Sequence, residues 1–310
     1  MKQLGLMLLV LATFAFSAPA QSGKNSFLGR WDLTLTTPKD SYPNWMEIEE
    51  KDGALNGRFQ PRDGAVRPIV AIKQDGPKLL VTTLTSNDRG PETTWDLTVE
   101  GGKLSGVQKR GNDTDTRIAG VRAPELKRKA PKAWSKPEPL FNGKDLTGWQ
   151  PVANPANSHW VAKDGTLLNE AKGSNIRTIR KFDDFKLHVE VRCPDHCNSG
   201  IYLRGRYEIQ VGSEGGRRPQ NEMGAVYGYF APAKEMPLAS GEWQTFDITL
   251  VGRHVTVVRN GVTIHDNQEL PGITGGALDS NEAEPGPFFL QGDHDGGMAY
   301  RNITVAVPKK

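Results

Sequence analysis

The sequence predicts an all-β protein: a jelly roll or β-sandwich in the C-terminal half, preceded by a small N-terminal β-barrel or sandwich. Three observations carry this. Apolar/polar alternation recurs in short runs, most cleanly in Phe185-Lys186-Leu187-His188-Val189-Glu190-Val191-Arg192, the period of half-buried strands. Glycine supplies 34 of the 310 residues and, with Asp and Asn, punctuates these runs at short intervals, as hairpin-linked strands require. No apolar period of 3.6 residues persists along the mature chain, so sheet must pack on sheet or close on itself.

Taken in order, residues 1–20 read as a signal peptide. Lys2 precedes an apolar run over residues 4–16, and Ala18-Pro19-Ala20 supplies small residues for cleavage. The run is too short for a comfortable membrane span. The mature chain is expected to begin near Gln21 and to be periplasmic or secreted, and no later segment is apolar enough to span a bilayer. Residues 24–122 form one small all-β unit, with strands expected near 31–35, 45–49, 55–59, 69–72, 79–84, 95–99 and 104–107. Turn signals such as Lys51-Asp52-Gly53 separate them, as in a meander. The Gly29-Arg30-Trp31 start resembles the opening of small lipocalin-like barrels, with Trp31 closing one end. Residues 123–138 are rich in proline and carry Lys127-Arg128-Lys129, the composition of a stiff, solvated connector. Trp134 is the residue there expected to dock on a domain. Strands resume over residues 139–308. Arg259-Asn260-Gly261-Val262 is a two-residue hairpin signal, because Asn-Gly accepts the positive φ of a type I′ turn.

The formal net charge is only +3, which excludes a strong nucleic-acid footprint. The two cysteines, Cys193 and Cys197, flank Pro194-Asp195-His196. Three intervening residues do not fit a C-x-x-C redox motif, and a structural zinc wants four ligands where at most three are local. In an exported chain the plain reading is a disulfide that staples a strand connection, with His196 on the rim of whatever lies beside it.

Parity assigns faces. Glu190 shares a face with His188 and Arg192; Tyr202 and Arg204 oppose Ile201 and Leu203; Glu208 and Gln210 oppose Tyr207, Ile209 and Val211. If these consecutive strands pair, Glu190, Tyr202, Arg204, Glu208 and Gln210 share one sheet face. Cross-strand ion pairs on a solvated face explain such a set equally well. The mixture of planar hydrogen-bonding groups with an aromatic ring suits a sugar, and the Gly-rich loop over residues 212–228 could wall the face.

A family likeness enters with Leu140-Phe141-Asn142-Gly143-Lys144-Asp145-Leu146-Thr147-Gly148-Trp149. In order follow Asn198-Ser199-Gly200-Ile201-Tyr202-Leu203-Arg204-Gly205, Tyr207-Glu208-Ile209-Gln210-Val211, Gly224-Ala225-Val226-Tyr227-Gly228, Gly241-Glu242-Trp243-Gln244, Leu290-Gln291-Gly292-Asp293-His294 and Tyr300-Arg301-Asn302-Ile303. Over residues 139–307 the chain resembles the 3-keto-disaccharide hydrolase family. The resemblance implies a concanavalin A-like jelly roll whose concave sheet holds sugar. It also implies cleavage of a glycoside with a ketone at carbon 3, supplied by a partner sugar 3-oxidoreductase. The chain departs from the family where an aspartate usually follows Gln210; here Val211-Gly212-Ser213-Glu214 stands, and only Glu214 is near. An acidic, Gly-rich insertion occupies residues 272–286.

The ketone acidifies the hydrogen at carbon 2, so elimination of the glycosidic oxygen needs a base, an enolate stabiliser and an acid for the leaving group. Glu208 or Glu190 is the candidate base, Arg204 the clamp on enolate or hydroxyl, and His294 the acid or a metal ligand. Gln210, Gln291 and Tyr227 are expected to orient hydroxyls, with Tyr202 as aromatic surface. Two-carboxylate hydrolysis is the competing mechanism, and a non-catalytic sugar-binding module the competing function. No cofactor is demanded. The aspartates of Gly292-Asp293-His294-Asp295-Gly296 could hold a hard cation such as calcium, although they complete no ligand motif.

Overall fold

A computed structural model describes residues 25–84, 92–111, 113, 115–212, 218–234, 236–237 and 240–309. The expected signal peptide and Glu214 lie outside the described residues. Among the described residues the chain is strand and turn, with only two three-residue 3-10 turns, Pro155–Asn157 and Pro219–Asn221.

The first unit is an antiparallel meander of β1 (Gly29–Thr36), β2 (Ser41–Lys51), β3 (Ala54–Gln60), β4 (Arg67–Pro68), β5 (Ala71–Asp75), β6 (Lys78–Thr83), β7 (Thr93–Glu100), β8 (Lys103–Arg110) and β9 (Thr116–Arg122). Their spatial order is β4-β3-β2-β1-β9-β8-β7-β6-β5. The two ends meet between β4 and β5: Ile69 N–H donates to Gly57 O on one side, and Val70 N–H donates to Thr82 O on the other, both at 2.9 Å. The meander therefore closes into a barrel and leaves no open edge among the described residues. Alternate residues point inward, and Trp31, Leu33, Met46, Ile48, Val81, Trp95 and Leu97 fill the interior. Trp31 closes one end, its indole N–H donating to Phe27 O at 2.8 Å with the Arg122 guanidinium over its ring.

The second unit comprises β10 (Glu138–Pro139), β11 (Trp149–Pro151), β12 (Trp160–Lys163), β13 (Thr166–Asn169), β14 (Ile176–Thr178), β15 (Phe185–Arg192), β16 (Asn198–Leu203), β17 (Tyr207–Gly212), β18 (Trp243–Val251), β19 (His254–Arg259), β20 (Val262–Glu269), β21 (Phe289–Leu290) and β22 (Met298–Ala306). They form two sheets. One runs β12-β13-β22-β15-β18-β19-β20 with β10 beside β22, and the other runs β11-β14-β21-β16-β17. Leu187, Val189 and Val191 of the first join Ile201, Ile209 and Val211 of the second in one core, the layered packing of a sandwich. Asn260 (φ 48°) and Gly261 (φ 76°) turn β19 into β20 as the Asn-Gly signal requires.

One expectation fails here. β15 does not pair with β16; its neighbours are β18 and β22, whereas β16 lies between β17 and β21. The Cys193–Cys197 segment is a crossing between sheets, not a hairpin, and its two buried cysteines form a disulfide. Glu190 and Glu208 consequently stand on different sheets.

Barrel and sandwich share a seam. Trp45 points out of the barrel yet is 1% exposed and belongs to the sandwich core. Its indole nitrogen lies 2.5 Å from Tyr229 Oη and 3.1 Å from Ile273 O. Arg30 donates to Pro271 O at 2.7 Å, and Asp32 is buried beside Glu282. The acidic, Gly-rich insertion fills this seam: a Cβ on Gly272 would strike the Trp45 ring, and one on Gly275 would strike the Gly64 backbone at 2.7 Å. The connector is not simply solvated. Arg128 pairs with Asp183 and Asp184, Trp134 bridges to Pro308, and Lys186 sits over the Trp134 ring.

Candidate functional site

The face of the five-stranded sheet turned away from the core carries a cavity of about 240 Å³. Parity on two paired strands builds its floor. Tyr202 of β16 lies opposite Glu208 of β17, and Gly200 lies opposite Gln210. Phe289 of β21 pairs with Tyr202 on the other side, and their rings stack with centroids 4.3 Å apart. Asn175, Asn198, Tyr227, Gln291, Asp293 and His294 supply the polar walls. Gly275 and Gly276 of the insertion and Asp63 and Gly64 of the barrel complete the lining.

Glu208 is 2% exposed and its carboxylate has a built seat. A Cβ on Gly200 would fall 2.2 Å from Glu208 Oε1, so only glycine leaves room for the carboxylate across the strand pair. The Tyr202 hydroxyl lies 2.8 Å from Glu208 Oε2 and 2.9 Å from Gly275 O, donating toward these acceptors. Burial, reinforced by the Glu208 charge beside it, pushes the Tyr202 phenol well above its ordinary range and keeps it a neutral donor. Gly276 takes a left-handed φ of 78°, and a Cβ there would strike the Tyr202 hydroxyl at 2.6 Å.

The amides divide into fixed and available groups. Gln210 Nε2 donates to Asn198 Oδ1 at 2.8 Å, which fixes both side chains. Asn175 Oδ1 accepts from Gly292 N–H at 2.7 Å and holds the Gln291-Gly292-Asp293-His294 loop in place. Gln291 Oε1 is buried without a hydrogen-bond partner, a capacity that a ligand hydroxyl would satisfy. His294 and Asp293 stand at the open rim, 44% and 49% exposed, with Nε2 and Oδ1 3.8 Å apart. Among the described residues no three His, Cys, Asp or Glu side chains converge as metal ligands.

The structure thus brings together Glu208, Tyr202, Gln210, Gln291, Tyr227 and His294, and it separates three other candidates. Glu190 lies on the far face of the other sheet, accepting from Asn302 Nδ2 at 2.6 Å and Arg301 Nε at 2.7 Å. Burial opposes ionisation there, but these two donors outweigh it and hold the carboxyl below its usual range. Arg204 lies one residue past the end of β16, at φ 53°, where alternation no longer applies. Its side chain turns under the sheet, fully buried, and donates to Tyr207 Oη at 3.1 Å and Gly252 O at 2.9 Å while facing Asp183. Nor does Glu190 pair with Arg204. His196 is 80% exposed beside Asp195 and does not line the cavity.

Sequence reading missed Gly200, Asn198 and Phe289 as site residues, although each lies in or beside a quoted motif. Asn175 and Asp63 carried no local signal, because each reaches the cavity from a distant segment.

Residues 136–306 match the family profile described as a 3-keto-alpha-glucoside-1,2-lyase-like domain. Among solved structures, a candidate glycosyl hydrolase from Parabacteroides distasonis is 26% identical with a TM-score of 0.47, covering 58% of this chain and 93% of its own. A second from the same organism is 17% identical with a TM-score of 0.46, covering 55% and 93%. The carbohydrate-binding module CBM66 of Bacillus subtilis is 14% identical with a TM-score of 0.35, covering 52% and 97%. No curated protein matches the chain.

Proposed function

Because this chain belongs to the 3-keto-alpha-glucoside-1,2-lyase-like family, we propose that it is a carbohydrate-active enzyme that opens the glycosidic bond of 3-keto-glycosides, with Glu208 as the base. The observation that carries this reading is the seat of Glu208: a carboxylate enclosed at the floor of a sugar-sized cavity, above Gly200 and bonded to a neutral Tyr202. Such a group is fixed in position before substrate arrives.

In the proposed step Glu208 takes the proton from carbon 2. The electron pair moves into a carbon 2–carbon 3 enolate, whose oxygen carries the charge. As the ketone re-forms, the double bond shifts to carbons 1 and 2 and the carbon 1–oxygen bond breaks. The leaving alcohol takes a proton, for which His294 stands at the open rim. Water adding across the new double bond converts elimination into net hydrolysis. Arg204 is replaced as enolate stabiliser by the Gln291 amide, which faces the cavity, while the Tyr202 hydroxyl holds the Glu208 carboxylate. Gln210, Asn198 and Tyr227 orient sugar hydroxyls.

The ketone is supplied by an oxidoreductase acting at carbon 3 of the glycoside, and the pair would work in the periplasm or outside the cell. The test is incubation with plain and 3-keto glycosides, with and without chelator, alongside Glu208→Gln. Cleavage of 3-keto substrates only, lost in the variant, is expected. Wild-type turnover in Glu208→Gln removes Glu208 as base. Reversible binding of plain glycans without turnover of any keto-sugar makes the protein a binding module instead, and loss of turnover with chelator brings in a divalent cation such as calcium.

A further inference from the structure

The barrel holds a second cavity, of about 370 Å³, at the end opposite Trp31. Inward parity explains its lining. Over most of their length the strands present apolar residues to the interior, such as Met46 and Ile48 of β2 or Trp95 and Leu97 of β7. At this end the same inward positions become polar on several strands: Tyr42 and Asn44 on β2, Thr93 on β7, Gln108 and Arg110 on β8, and Thr116 on β9. A barrel that needed only a core would continue the apolar layer.

These groups are unspent. Among the described residues, none of these six side chains makes a hydrogen bond within the protein. For Asn44, 2% exposed, the cost is plain: its Oδ1 is buried without a partner. Thr93 and Thr116 are also buried. Native interiors seldom leave such groups unsatisfied unless something else satisfies them.

We propose that this cup is a second binding site, for a neutral saccharide. Hydroxyls and amides, five of the six groups, both donate and accept, which matches the ambivalence of sugar hydroxyls. The volume falls in the range of small-molecule sites. Charge argues against an anion: Arg62 is paired with Asp40 at 2.7 Å, and Arg110 faces Asp63 and Asp113 around the same cavity. An apolar ligand would seal the unsatisfied groups from water and leave them unpaired. Asp63 lines this cup and the Glu208 cavity alike, so saccharide held here would stand beside the reaction site. The inference rests on the barrel alone and does not require the proposed reaction.

The test is equilibrium dialysis of the full chain with maltose, sucrose and cellobiose, with glucuronate and decanoate as anionic and apolar probes. Saturable binding of a plain disaccharide is expected, unchanged in Glu208→Gln and weakened about tenfold or more by Gln108→Leu and by Arg110→Leu. Turnover of a 3-keto-glycoside, followed in the same preparations, should survive both cup substitutions. Arg110 is exposed, so Arg110→Leu decides the matter if Gln108→Leu fails to fold by circular dichroism. No saturable disaccharide binding, binding indifferent to the cup substitutions, or preference for glucuronate or decanoate would overturn the proposal.

Discussion

Gly200→Ala isolates the seat of Glu208 from every other property of the strand. Gly200 lies within β16 and is not among the positive-φ glycines, so alanine meets no backbone strain. Its Cβ would stand 2.2 Å from Glu208 Oε1 and 2.8 Å from Cγ and Cδ, where ordinary contact begins at 3.4 Å. The carboxylate must retreat by about 1 Å, and it is hemmed in by the Tyr202 hydroxyl and the insertion carrying Gly275. A displacement of that size in a reacting group costs about 100-fold in rate, or about 2.7 kcal/mol of barrier. Folding should change less. Overpacking costs about 1–3 kcal/mol, while replacing glycine within a strand returns about 0.5–1 kcal/mol. Urea midpoints should therefore fall modestly while kcat on a 3-keto-glycoside collapses. Combining the substitution with Glu208→Gln should cost no more than Glu208→Gln alone, since both remove the same function. A Gly200→Ala enzyme within twofold of wild-type kcat, or two effects that multiply, would refute the positional role of Gly200.

Glu190→Gln should leave kcat within about twofold and lower stability by no more than about 1 kcal/mol, because Glu190 serves Arg301 and Asn302 on the other sheet; a kcat loss beyond tenfold would return it to the mechanism. Replacing Cys193 and Cys197 together with serine opens a loop of sequence separation 4, worth about 2 kcal/mol by loop entropy, read as a shift in urea midpoint with kcat retained. Asp32 should impose a pH slope on stability. Burial, with Glu282 beside it, raises its carboxyl from 3.8 to about 9, so between these values the folded chain holds a proton that the unfolded chain releases. Stability is then fully present at low pH and declines from about pH 4 toward pH 9, by at most about 1.4 kcal/mol per unit. Asp32→Asn should flatten the decline measured by urea denaturation at pH 6 and 8.5, and an unchanged slope would remove Asp32 as its source.

What the sequence revealed follows the range of its signals. Strand alternation and turn chemistry are local, so the all-β class, the Asn-Gly turn between β19 and β20 and the common face of Tyr202, Glu208 and Gln210 were readable. Parity works within a strand and across a known pair. It failed for Arg204 because β16 ends at Leu203 and the left-handed turn that follows resets side-chain direction. It failed for Glu190 because nothing local distinguishes a hairpin from a crossing between sheets; the disulfide-closed segment looked like either. Asp63 and Asn175 were illegible for a different reason. Asp63 reaches the cavity by packing against sandwich segments more than 100 residues away, and Asn175 through its bond to Gly292, 117 residues on; no residue pattern near either announces a ligand.

The same long-range packing decides whether the cavity is preformed. Gly64 from the barrel packs backbone to backbone on Gly275, and Gly276 N–H donates to Arg62 O at 3.1 Å, so one wall belongs to the barrel. Opening that wall by a hinge would draw Trp45 out of the sandwich core and break the Arg30 bond to Pro271 O. It would also wet the buried Asp32 and Glu282 pair. Losing a buried tryptophan costs about 3–5 kcal/mol by itself, which holds an open form below about one molecule in a hundred. The barrel therefore behaves as a fixed wall of the cavity, not as a lid. In the proposed reaction a glycoside would enter past the exposed Asp293 and His294 rim, with its outer end beside the one exposed histidine lining the cavity among the described residues.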